Sequence, residues 1–198
     1  MPFADEINPA GVEVHPYRDS WRTEGAELAA KLRQLVPNAE EVEHIGSTSI
    51  PGMAAKDCLD MMILVADLSS TTAEQQLAAA GWRRRPEPWN NFEPGAGRDC
   101  PKMVFAPPID ARTCNVHVRV TNSPTARIAL LFRDYLSCHP AQTQAWSSLK
   151  AAIAALSPDL AAYGSIKSPA WQLLMELAER WATDTGWQPH GAPTTGPR

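Results

Sequence analysis

Apolar positions recur along this chain in two rhythms, and each rhythm marks a different kind of element. Trp21, Leu28, Leu32 and Leu35 make a rough helical stripe behind Asp19 and Ser20, either of which can cap it. The spacing predicts a helix from Ser20 that stops at Pro37-Asn38. From Cys114 to Thr121 the period is two: Cys114, Val116, Val118 and Val120 point one way, Asn115, His117 and Arg119 the other. Between these segments the run CLDMMILV (58–65) is almost continuously apolar, as a strand buried on both faces must be. A shorter strand is predicted at 41–45, broken by Gly46.

The remaining punctuation completes the outline. Residues 1–17 read as irregular, and 47–52 as turn chemistry followed by a short helical turn around Met53 to Lys56. A helix is predicted at 71–80, closed by Gly81. The stretch 83–101 is so rich in Pro, Gly and charge that it reads as a long loop or loose hairpin. Ser123-Pro124 is a cap followed by proline at the first helical position, opening a helix to about Cys138. Two further helices are expected at 141–156 and 169–184, the second opened by Ser168-Pro169. The expectation is one α/β domain over 1–185, with a small mixed sheet flanked by helices and a C-terminal helical segment. The tail 186–198 reads as disordered.

Composition narrows the class. At 198 residues, 44% hydrophobic and 20% charged, the chain has the makeup of one globular domain with a buried core. A net charge of −4 gives the whole molecule no electrostatic footprint for duplex nucleic acid, although a local basic cluster can still hold a small anion. Four scattered cysteines without a CxxC pair read as free thiols in a reducing compartment. The opening residues show no signal pattern, and no apolar run reaches the ~20 residues that span a bilayer. The expected location is cytoplasmic.

One constellation carries chemistry. Gly46 directly after a strand permits a tight turn through which backbone N–H groups approach an anion, and Ser47 and Thr48 add hydroxyl donors. Lys56 offers a point charge. Asp60 is the one carboxylate inside the apolar strand that follows. An ionised carboxylate there is costly unless it is paired or metal-bound. Beside the glycine turn it suits a hard divalent cation that bridges phosphate oxygens. The competing readings are structural: a strand-ending turn at 46–48, and a salt bridge from Asp60 to Lys56 or Arg119. His44 and His117, on strands flanking Asp60, suit either structural hydrogen bonds or ligand contact. Arg83-Arg84-Arg85 reads as a solvated edge, and Trp89 as a candidate for stacking on a base.

The run EHIGSTSIPGMAAKDCLDMMI resembles the signature of the GrpB-like proteins, a branch of the nucleotidyltransferase superfamily. The resemblance extends to NVHVRV (115–120), LFRDYL (131–136), Leu149-Lys150, and Tyr163 with Lys167. It implies a nucleotidyltransferase-like fold in which Gly46, Ser47 and Thr48 hold the phosphates of a nucleoside triphosphate and Asp60 binds Mg²⁺. Arg133 and Lys150 match basic positions that would face phosphate. His117 occupies the region of a third metal carboxylate, where it would orient or deprotonate an acceptor. Two departures bear on turnover. The superfamily's second acid, two residues after the first, is here Met62, and Asp57 stands where the family commonly has proline. Two readings follow: Mg²⁺-dependent nucleotidyl transfer to an unknown acceptor, or a nucleotide- or phosphate-binding module without turnover. Relatives fused to a dephospho-CoA kinase suggest, for the second, an accessory role in folding.

Overall fold

The computed structural model describes residues 3–6, 11–156 and 159–189. Its elements are α1 (Ser20–Leu35), β1 (Glu41–Ile45), β2 (Leu59–Val65), α2 (Ala73–Ala79), β3 (Arg83–Arg84), β4 (Phe92–Gly95), β5 (Arg98–Ala106), β6 (Cys114–Val120), α3 (Pro124–Cys138), α4 (Pro140–Leu156) and α5 (Leu160–Thr185). Short 3-10 turns lie at Ala4–Glu6, Ser47–Ser49 and Pro88–Asn90.

Alternation within the apolar strands decides how these elements layer. The sheet runs β1-β2-β6-β5-β3, with β4 folded back on β5. The central pair β2 and β6 is parallel, and its neighbours are antiparallel. Met61, Ile63, Val65, Val116 and Val118 point to one face and pack with Trp21 and Leu32 of α1 and Leu77 of α2. Met62 and Leu64, with Ile45, point to the other, against Leu130, Leu131 and Tyr135 of α3, Trp146 of α4 and Ala178 of α5. Burial on both faces is why residues 59–65 are so uniformly apolar. Asp60, two residues before Met62, therefore faces the layer of α3, α4 and α5.

The observed architecture is the expected one: an α/β mixed sheet flanked by helices, with a C-terminal helical segment. Four local expectations are corrected. The stretch 83–101 is not a loose loop. It holds β3, a 3-10 turn, β4 and the start of β5, and β5 runs on as a nine-residue strand beside β6. Two of its four prolines sit in the β4–β5 hairpin, where Pro101 faces Phe92 and Pro94 faces Asp99, at the margin of the sheet where proline is tolerated. The helical turn expected at Met53 to Lys56 is absent; the turn lies earlier, at Ser47–Ser49, and Ala55 forms a bridge with His15. Ser168-Pro169 does not open a helix. α5 begins at Asp159, whose carboxylate accepts a hydrogen bond from the Ala162 N–H at 2.8 Å, and continues through Pro169. After α5, Gly186 takes the left-handed cap at φ 67° and Trp187 is buried, so structure runs past residue 185. Residues 190–198, the rest of the expected tail, lie outside the described residues.

Candidate functional site

Register brings the site together before any side chain is considered. Ile45 pairs with Asp60 and Asp60 with Asn115, so the end of β1 and the starts of β2 and β6 lie in one row. Gly46 leaves β1 at φ 70° and ψ −170°. A Cβ at this position would sit 2.6 Å from Asp60 Oδ2. Both the left-handed backbone and the missing side chain are required, because the Asp60 carboxylate lies directly against the bend.

Asp60 is held without an arginine. Asn115 donates its Nδ2 hydrogen to Oδ1 at 3.0 Å, and His117 Nε2 stands 3.8 Å from the same oxygen. Burial raises the carboxyl pKa, but His117, the Asn115 amide and Lys56 outweigh it and hold it down at about 2. The acid is ionised at neutral pH, and its side chain keeps 35% of its surface exposed. The His117 imidazole is pushed below its ordinary value by burial, with Arg119 and Lys102 adding to the effect, and its Nδ1 has no hydrogen-bond partner.

Opposite the acid lies a cluster of amines. Lys150, 3% exposed, donates to the Ser47 hydroxyl at 2.9 Å. Burial pushes its amine down to about 7, with the nearby charges of Lys167 and Lys56 acting in the same direction. Lys167 is likewise lowered by burial and by Lys56. An anion beside the buried amines of Lys150 and Lys167 would favour their charged forms. Lys167, with Gly46, Ser47, Asp60, Glu93 and Arg119, lines a cavity of about 350 Å³ whose remaining walls come mainly from helix side chains.

The expected residues divide accordingly. Gly46, Ser47 and Asp60 line the cavity, with Lys150 bonded to Ser47; Lys56 and His117 act on Asp60 electrostatically. Thr48 is not brought to the cavity: it is 1% exposed, and its hydroxyl meets His44 Nε2 at 2.9 Å on the side that packs against α1. His44 accordingly does not flank the acid in the cavity. Arg133 is drawn away too, bonded to Glu43 at 2.6 Å and Asp134 at 2.8 Å. Asp57 binds Arg18, Arg112 and the Trp21 indole, which fixes the entry to β2. Trp89 is exposed and is not among the cavity's lining residues.

Two charged lining residues, Lys167 and Glu93, carried no assigned role in the site, and a third, Arg119, was expected only as a salt-bridge partner of Asp60. Arg119 grips Glu93 through two nitrogens, at 2.5 and 3.1 Å, and also approaches Met62 Sδ at 3.3 Å. The place where a second acid would project is thus filled by a thioether and a guanidinium. Lys167 was visible as a matched position only; Glu93 lay in a segment whose composition hid its strand. Arg85 reads as surface in the sequence, yet it is 8% exposed, bonds Glu6, and donates to Asn115 Oδ1 at 2.9 Å. It thereby orients the amide that holds Asp60.

The family model described as GrpB protein matches residues 11–177. This chain belongs to the GrpB family. A relative in Bacillus subtilis, the UPF0157 protein YqkA, is 34% identical over 86% of this chain and 48% of its own length. A protein named dephospho-CoA kinase in Mycolicibacterium paratuberculosis is 29% identical over 96% of this chain and 52% of its own length. The chain thus spans about half the length of these two curated relatives. The crystal structure of the conserved protein GrpB from Enterococcus faecalis superposes with a TM-score of 0.69 at 25% identity, covering 89% of this chain and all of that one.

The donor set can also be tested against metal. Among the described residues no group of three or more His, Cys, Asp or Glu side chains is placed to hold an ion. Glu93, the other carboxylate in the cavity wall, is taken by Arg119 and Lys102. A pair of bridged metals lacks its ligands. A single Mg²⁺ fits, because that ion is commonly held by one or two carboxylates plus phosphate oxygens and water. No described helix is long and apolar enough to cross a membrane.

Proposed function

We propose that this GrpB-family chain binds a nucleoside triphosphate together with one Mg²⁺, and that it is a binding module without efficient nucleotidyl transfer. The observation that carries this reading is the contact at Gly46: the ionised Asp60 carboxylate lies against the bend, and Lys150 is bonded to the next residue, Ser47. Asp60, Gly46 and Ser47 line the same cavity.

The residues divide the work by charge. Lys150, Lys167 and Lys56 neutralise phosphate oxygens, and Ser47 donates or accepts as Lys150 dictates. Asp60 would hold Mg²⁺, which supplies charge neutralisation between phosphates when bound. Asn115 fixes the carboxylate through its bond to Oδ1. The Met62–Arg119–Glu93 contact speaks against turnover, since it removes the second bridging acid.

The second reading, nucleotidyl transfer to an unknown acceptor, is favoured by one observation. His117, whose pKa burial lowers toward the neutral form, presents Nε2 3.8 Å from the Asp60 carboxylate, the pairing of an imidazole base with an acid. A panel of nucleoside triphosphates with Mg²⁺, followed by thermal unfolding and pyrophosphate release, separates the two. Stabilisation without pyrophosphate, lost in Asp60→Asn, supports the binding module. Pyrophosphate release that disappears in both Asp60→Asn and His117→Ala establishes the enzyme. No stabilisation by any nucleotide refutes both.

A further inference from the structure

The cavity's lining carries two chemistries, and only its polar residues are used by the phosphate reading. Its apolar residues include one aromatic side chain on each of three helices: Phe132 of α3, Trp146 of α4 and Trp171 of α5. Phe132 and Trp146 meet edge to face, ring centres 6.4 Å apart at 74°, which locks their orientation. They border a cavity of about 350 Å³, within the roughly 300–1,000 Å³ usual for small-molecule sites. A ligand that fills it must be anionic at one end and flat and apolar at the other.

We propose that this aromatic wall seats a purine ring, so that the occupant of the cavity is a purine nucleoside polyphosphate and not a bare polyphosphate chain. The inference rests on the phosphate reading of the Gly46–Lys150 end and adds the ring-binding end to it. Base preference follows from which polar groups remain to read an edge. Glu93 and Arg119 satisfy each other, with Lys102 as a third partner, so neither is left to select a base strongly. Thr125 also lines the cavity, but its hydroxyl is buried and offers no contact to a base edge. Stacking area then sets the order, and adenine and guanine should bind alike, both ahead of pyrimidines.

Calorimetry on the full chain with Mg²⁺ and ATP, GTP, UTP or inorganic tripolyphosphate tests this. The expected order is ATP equal to GTP, then UTP, then tripolyphosphate. Trp171→Ala should weaken ATP about tenfold, the scale of one base stacked on one ring, and leave tripolyphosphate within about twofold. Trp171→Phe, which keeps a ring and guards against a folding defect, should recover most of the ATP affinity. Lys150→Met should weaken both ligands. Tripolyphosphate binding as tightly as ATP, UTP matching ATP, or Trp171→Ala weakening both ligands equally would overturn the ring seat while leaving the phosphate reading in place. If none of the four ligands binds, the phosphate reading falls and the ring seat falls with it.

Discussion

Gly46 shows how much of the site depends on one missing atom. Its φ of 70° is costly for a residue with a side chain, and a Cβ would approach Asp60 Oδ2 to 2.6 Å. Gly46→Ala should therefore displace either the bend or the carboxylate. We expect a loss of about 1–3 kcal/mol of stability by chemical denaturation and no Mg²⁺-dependent nucleotide stabilisation. Lys150 sets a pH dependence of definite sign. The amine ordinarily titrates at 10.5 and is held at about 7 in the fold. Between these values the unfolded chain keeps a proton that the folded chain has lost, so Lys150 makes ligand-free stability rise with pH across that window. Anion affinity runs the other way, because only the protonated amine attracts phosphate. Between about pH 7 and pH 9, above the range near 6 where phosphate itself titrates, affinity should fall in the wild type. Lys150→Met should remove most of that slope when both proteins are titrated by calorimetry.

At the scale of elements, α1 and β1 fit closest where Gly25 meets His44. Gly25 lies in the interior of α1, where alanine ordinarily stabilises by up to about 1 kcal/mol. Here a Cβ would meet His44 Nδ1 at 2.2 Å. Gly25→Ala should reverse the usual sign and lower the denaturant midpoint by an amount equivalent to about 1–3 kcal/mol. His44 itself is half-buried and held neutral, its pKa pushed down to about 4 from 6.5 by desolvation. The legibility of the chain divides along the same line between local and distant contacts. β6 and the start of α3 were readable because alternation and the Ser123-Pro124 cap are signals within a few residues, and Ser123 does accept from the Ala126 N–H. β5 was not, because its composition blends into a proline-rich hairpin and its identity as a strand comes from pairing with β6. Pro169 misled for a related reason. A Ser-Pro pair is a local opening signal, whereas α5 is held across it by packing on α3 and α4. In the site, Gly46 and Asp60 were legible from their sequence neighbours. The diversion of Arg133 was not, since its partner Glu43 lies 90 residues away in the chain.

At the scale of the whole molecule, the site is tied to the N-terminal segment through a line of charges and amides. Asp5 pairs with Arg83 and Glu6 with Arg85, so Ala4–Glu6 is pinned against the far edge of the sheet. Arg85 donates onward to Asn115 Oδ1, and Asn115 donates through Nδ2 to Asp60. An amide can hold a carboxylate this way only while its oxygen is occupied by a donor, since otherwise either of its ends can turn toward the acid. Arg85 thus acts as a positioning residue for Asp60 without touching the cavity ligand. Arg85→Met keeps much of the side chain's volume and removes the donors. It should leave the secondary structure seen by circular dichroism unchanged and weaken Mg²⁺-dependent nucleotide binding several-fold. Binding measured without Mg²⁺, which depends on the lysines, should change much less. That split is what separates positioning of the acid from a general loss of packing. Equal weakening with and without Mg²⁺ would show that Arg85 only holds the sheet edge together, and that the link from the N-terminal segment to Asp60 carries no function.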